Sequence, residues 1–116
     1  MSVYFVRHFS LKNSSIVRLL LSFGSDVRYK DDALCEASYR GYAKMVRVLL
    51  SAGADIHADN DYSLQLASDN GHTEVVCLLL AAGADVHAQD DHALYRASIS
   101  GHAEVVRLLL EYGADV

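Results

Sequence analysis

Residues 67–88 read ASDNGHTEVVCLLLAAGADVHA. The same wording returns 30 residues later from Ala97 as ASISGHAEVVRLLLEYGADV, and 30 residues earlier from Ala37 as ASYRGYAKMVRVLLSAGADIHA. Leu34, Leu64 and Leu94 coincide under that shift, as do Gly41, Gly71 and Gly101 and the later glycines Gly53, Gly83 and Gly113. A fixed period of this length marks a solenoid, in which each unit buries its apolar face on the next.

Each unit reads as two short helices. The first is expected to open near Asp31, Asp61 or Asp91, whose short carboxylates can accept the orphan N–H groups of a first turn, and to end at Gly41, Gly71 or Gly101. The small Ala-Ser pairs from Ala37, Ala67 and Ala97 let a neighbouring backbone approach. The second helix carries Val75, Val76, Leu78, Leu79 and Leu80 in the middle unit, with matching residues in the others. An apolar set that wide exceeds what one partner helix covers, so it must be buried between successive units.

The wording from Ala67 to Ala88, repeated from Ala97, resembles the AAxxGHxEIVxLLLxxGADVNA pattern of ankyrin repeats, and the likeness covers roughly residues 28 to 116. It implies an all-α solenoid of stacked helix-turn-helix units. Two features depart from the family pattern. Its period is about 33 residues, whereas these units lack three residues and the Asp-Gly of the hairpin turn. The family's Thr-Pro-Leu-His is replaced by Asp32-Ala33-Leu34-Cys35, Tyr62-Ser63-Leu64-Gln65 and His92-Ala93-Leu94-Tyr95. Trimmed, proline-free units of this kind resemble the ankyrin arrays of giant DNA viruses that infect amoebae, which implies a host protein as partner.

One domain is expected over residues 1–116, with regular units at 28–57, 58–87 and 88–116 and a degenerate N-terminal unit at 1–27. In that first unit, Ser15 to Gly24 matches the second helix of the others. Terminal units are commonly atypical because one side faces water. The last unit keeps interior wording to Val116, so its far face is expected to be covered by further chain or by another molecule.

The 52% apolar content is enough for a core, and the longest apolar run, Val75 to Ala82, is far too short to span a bilayer. The N-terminus does not read as a secretory signal, and a cytoplasmic protein without membrane contact is expected. Charge is uneven: residues 1–58 hold eight Lys or Arg against five Asp or Glu, and residues 59–116 hold two against ten. In a solenoid, position in sequence is position along the axis. The C-terminal half therefore suits a basic partner rather than nucleic acid, and opposite ends favour head-to-tail contact.

His72 and His102 occupy the Gly-His position, for which the resemblance implies structural hydrogen bonds between units. His57 and His87 follow GAD in the turn, where backbone hydrogen bonding is expected. Cys35 and Cys77 lie at different places in their units, so no paired spacing for zinc exists, and Cys77 reads as a small core residue. A nucleophile elbow and a phosphate-binding glycine loop are both missing from the sequence. The expectation is no catalysis, no metal and no cofactor.

Binding remains. Stacked first helices and turns form a continuous concave surface, and positions that differ among matched units are candidates for contact because packing does not dictate them. They are Tyr29, Tyr62 and His92 before or at the start of the first helix, and Tyr39, Arg40, Asp69, Asn70, Ile99 and Ser100 at its end. Tyr and Arg are frequent interaction hot spots. The leading expectation is a non-catalytic protein-interaction module. The alternative is a self-assembling unit, a head-to-tail or swapped homo-oligomer, or a piece of a longer ankyrin array.

Overall fold

The computed structural model describes residues 27–115, with side chains from Lys30 onward. The degenerate unit expected over 1–27 lies, apart from Val27, outside the described residues, as does Val116. Among the described residues there are six helices and no strand: α1 (Val27–Arg40), α2 (Ala43–Ser51), α3 (Ala58–Asp69), α4 (Thr73–Ala81), α5 (Ala88–Ile99) and α6 (Ala103–Glu111). Each odd helix packs on the even helix that follows it. The odd helices form one row (α1 on α3 on α5) and the even helices a second (α2 on α4 on α6). This is the all-α ankyrin-type solenoid of the sequence reading.

The core is the repeated wording. Leu34, Leu64, Met45, Leu49, Leu79 and Leu109 are essentially inaccessible to solvent, together with Val46, Val75, Val76 and Val105. Ala37, Ala67 and Ala97 are fully buried in the odd row, where the absence of a larger side chain lets α3 lie against both neighbours. Cys77 departs from expectation. It is exposed, because Val75, Val76, Leu79 and Leu80 take the inward positions of α4 and about 3.6 residues per turn rotates position 77 to the outside.

Helix ends follow the glycines. Gly71 adopts φ +72°, and beyond it the His72 amide donates to the Ala67 carbonyl oxygen at 3.0 Å, closing the last turn of α3. Gly41 does the same for α1, with φ +79° and the Tyr42 amide on the Ala37 oxygen at 2.9 Å. At both glycines a Cβ would stand 2.6 Å from Nδ1 of the following unit's histidine, His72 or His102. Only hydrogen fits there, so the glycine serves the stack as well as the turn.

The starts of the odd helices differ from expectation. Asp31, Asp61 and Asp91 do not cap their own helices. Asp31 Oδ1 accepts the Asp55 amide at 2.7 Å, Asp61 Oδ2 the Asp85 amide at 2.7 Å, and Asp91 Oδ1 the Asp115 amide at 3.4 Å. Each carboxylate thus ties the start of its unit to the loop 24 residues on, where a backbone donor would otherwise lack a partner. In place of a β-hairpin, Asp59, Asn60 and Asp61, and again Gln89, Asp90 and Asp91, form a single left-handed turn with φ between 53 and 60°. The Asp61 amide closes the first on the His57 oxygen at 3.3 Å, and the Asp91 amide closes the second on the His87 oxygen at 3.2 Å. Five of these six positions are Asp or Asn, which tolerate this region better than most residues, and the trimmed connection forms without glycine.

Candidate protein-binding face

Two kinds of residue meet along the odd-helix row: the outward face of α1, α3 and α5, and the left-handed turns at its edge. On a helix, positions i, i+3, i+4 and i+7 share a face. Asp32, Cys35, Glu36 and Tyr39 therefore line up on α1, Tyr62, Gln65, Leu66 and Asp69 on α3, and His92, Tyr95, Arg96 and Ile99 on α5. The aromatic members are open to solvent, Tyr39 at 50%, Tyr62 at 45% and Tyr95 at 59%, and Ile99 reaches 65%. Side chains of that size exposed on one row of helices are surface that packing has not used.

The sequence-derived candidates separate on this face. Tyr39, Tyr62 and Ile99 present free apolar area. Arg40 is exposed but held by Glu36 Oε2 at 2.6 Å. Asp69 is drawn into the stack: its Oδ2 accepts from Arg96 Nη2 at 2.9 Å and its Oδ1 from the Ser100 hydroxyl at 3.0 Å. The Arg96 guanidinium, with the Ser100 hydroxyl, holds the Asp69 carboxyl below its ordinary range. Asn70 donates from Nδ2 to the Leu66 carbonyl oxygen at 2.8 Å, finishing its own helix. His92 stacks on Tyr95 with ring centroids 5.7 Å apart. Tyr29 falls in α1, and its side chain lies outside the described ones. Sequence reasoning missed Tyr95 and Arg96. The i+3 and i+4 spacing from His92 would have placed both on the face.

The turns form a polar ladder. His57 Nδ1 lies 3.1 Å from both carboxylate oxygens of Asp61, which is only 4% exposed, and His87 Nδ1 lies 2.8 Å from Asp91 Oδ1. Each histidine closes a unit and each aspartate opens the next, so the bond links successive units. The ring bonds run to carboxylates rather than to the backbone groups expected for His57 and His87. The Asp61 carboxylate raises the pKa of His57, and Asp91, with Asp115 nearby, raises that of His87. His72 and His102 act as the resemblance implied: Nε2 of each meets a carbonyl oxygen of the preceding unit, Tyr39 at 2.8 Å and Asp69 at 3.0 Å.

His87, Asp91 and Asp115 bring one ligand atom each within 4.8 Å of one another. The His87 to Asp91 bond and the Asp115 amide account for that proximity. Both cysteines are free thiols, and burial raises the pKa of Cys35, which also receives the Ser63 hydroxyl at 3.5 Å. Among the described residues no helix is long and apolar enough to cross a membrane.

These contacts, repeated every 30 residues, agree with comparison to known families. The family described as Ankyrin repeats (3 copies) matches residues 56–116, and the one described as Ankyrin repeat matches residues 33–61. No curated protein matches the chain. The chain belongs to the ankyrin repeat family.

Proposed function

We propose that this chain is a non-catalytic module that binds a partner protein along the concave face made by α1, α3 and α5 and their turns. Ankyrin repeats are generally protein-interaction modules. The observation that carries the reading for this chain is the row of exposed Tyr39, Tyr62, Tyr95 and Ile99 on consecutive odd helices, on a surface where neighbouring polar groups are already paired. Exposed aromatics at low conformational cost are what interface centres are made from. Of the sequence-derived set, Tyr39, Tyr62, Ile99 and His92 are read as contact residues. Arg40, Asp69, Asn70 and Ser100 frame the face. The resemblance to amoebal-virus arrays extends the reading to a host protein met in the cytoplasm, where two free thiols are at home.

The test is a pull-down read by mass spectrometry with three proteins of equal helicity: the intact chain, a Tyr39→Ala/Tyr62→Ala variant, and a control altered on α6 at Glu104 and Arg107. A partner retained by the intact chain and the control but lost with the tyrosine variant supports the reading. Retention of the same set by all three ends it.

A further inference from the structure

Charge is sorted across the stack as well as along it. No Lys or Arg occurs from Val48 to Tyr95. Among the described side chains every arginine is engaged: Arg40 with Glu36, Arg47 with Glu74, Arg96 with Asp69, and Arg107 with Glu104 and Glu111. Those pairs also use every glutamate of the described residues. What is left over is aspartate, and it gathers at the turn edge. Asp55, Asp59, Asp85 and Asp90 are all exposed there, and among the described residues none of them pairs with a Lys or Arg. Between the two left-handed turns lies an open cleft of about 700 Å³, lined chiefly by His57, Asn60, Asp85, His87, Gln89 and Asp90.

The fold does not ask for all of that charge. Asp55 and Asp85 each accept the amide two residues on, at 2.9 Å, and so help to shape the loop. Asp59 and Asp90 have no such task. Asn60 takes the same left-handed conformation with a neutral amide, so the turn geometry is met without a carboxylate. Exposed tyrosine adjoins the strip: Tyr62 follows the first turn directly, and Tyr95 lies four residues beyond Asp91 on the same helix face. A surface of this sign repels phosphate, which disfavours nucleic acid and an anionic membrane. It attracts Lys and Arg, whose cations also favour the faces of aromatic rings.

We propose that the second and third units take a Lys- or Arg-bearing segment of the partner protein, its cations over the turn edge at Asp59, Asp85 and Asp90 and its apolar side chains against Tyr62 and Tyr95. The inference rests on the protein-binding reading and names the chemistry of the partner. Lys30 holds in the first unit the place of Asn60 and Asp90, so the attraction centres on the later units.

Three labelled peptides of equal length test it by fluorescence anisotropy at moderate salt: four repeats of Lys-Leu-Ser, of Lys-Ser-Ser and of Glu-Leu-Ser. The first is expected to bind, the second about fivefold more weakly and the third not at all. Asp59→Asn with Asp90→Asn, which keeps a residue type that accepts the left-handed conformation, should weaken the first about fivefold. Glu104→Gln with Glu111→Gln on α6 removes the same charge from another face and should change it less than about twofold. Equal losses in the two double variants overturn the inference, because only net charge is then being read. So does an affinity unchanged by the Asp→Asn pair, equal binding of the two lysine peptides, or binding of the glutamate peptide as tight as that of the first. If Lys-Leu-Ser fails to bind, the inference falls. Release of a captured protein by Tyr39→Ala/Tyr62→Ala would then leave the protein-binding reading standing, with a partner of another chemistry.

Discussion

At the junction between α1–α2 and α3–α4, His72 reaches back over Gly41 to the Tyr39 carbonyl oxygen. At the next junction His102 reaches over Gly71 to the Asp69 oxygen. Those frameworks are the same to within a few tenths of an ångström, yet the surfaces above them differ. At the second junction Asp69 is locked to Arg96 and Ser100, whereas in the same columns the first has Tyr39, Leu66 and Asn70, and Tyr39 stays open. Stacking thus constrains the glycine, the histidine and the small residues, and leaves the helix face to be either closed by a polar lock or kept available. The first junction is the open one.

The framework breaks most at the glycines. Gly41→Ala and Gly71→Ala each demand a left-handed alanine, about 1–2 kcal/mol, and put a methyl where the next histidine ring lies, which sacrifices a hydrogen bond of about 1 kcal/mol. Each should lower unfolding free energy in urea by about 2–3 kcal/mol. Gly101 has the same positive φ, but nothing lies within 4 Å of the place its methyl would take, so Gly101→Ala should cost only the conformational part. Equal losses at all three would show that the histidine contact contributes nothing.

The two serines that follow the buried alanines sharpen the same comparison in the opposite direction. Ser38 and Ser68 are fully buried, and neither hydroxyl has a hydrogen-bond partner. Leaving such a group unpaired costs about 1–3 kcal/mol, so Ser38→Ala and Ser68→Ala should each stabilise the protein by about 1 kcal/mol. Ser98, exposed in the third unit, should be neutral. Denaturation midpoints of the three single variants decide it.

What could be read beforehand follows from this division. Gly41, Gly71, His72, His102 and the Ala and Leu columns repeat because each meets the same neighbour in each unit, so their spacing announces both the fold and their contacts. The left-handed turns announce nothing comparable. Asp59-Asn60-Asp61 reads as an ordinary polar loop, and its geometry comes from closing a connection three residues too short for a hairpin. For the same reason the sequence points to Asp61 as the cap of its own helix, whereas it accepts the Asp85 amide and meets His57. The face was half legible. Variation among units picked out Tyr39, Tyr62 and Ile99 but also Asp69 and Ser100, which bond to each other across the junction while an arginine that a unit-by-unit comparison passes over holds the other carboxylate oxygen.

Removing the lock at the second junction should have a small effect. Asp69→Asn keeps the shape of the side chain and loses the ion pair with a partly exposed arginine, which costs less than about 1 kcal/mol. Because the Asp69 carboxyl titrates below its ordinary value, its contribution is present above that value and disappears as pH falls through the folded one. The difference between Asp69→Asn and the intact chain should therefore vanish in acid. Tyr39→Ala, in the same column of the open junction, should change stability by no more than about 0.5 kcal/mol at any pH.

The two turns give the finest test, in the neutral range. His57 and His87 have folded pKa values above the ordinary 6.5, so the stability they supply is complete below that value and is lost as pH rises through the folded one. Thermal midpoints should therefore fall between about pH 6 and about pH 8 in the intact chain. The fall should flatten in a His57→Asn/His87→Asn variant. The single variants should not be equivalent. Asp61 is almost wholly buried, with its oxygens directed to His57 and the Asp85 amide, whereas Asp91 is more open and its amide partner sits at 3.4 Å. Loss of His57 strands a carboxylate with little access to water, and loss of His87 leaves one that solvent can reach. His57→Asn should therefore destabilise more than His87→Asn at about pH 6, and the two should converge as the pH rises. Equal effects across the range would mean that burial of the aspartate does not set the strength of the bond.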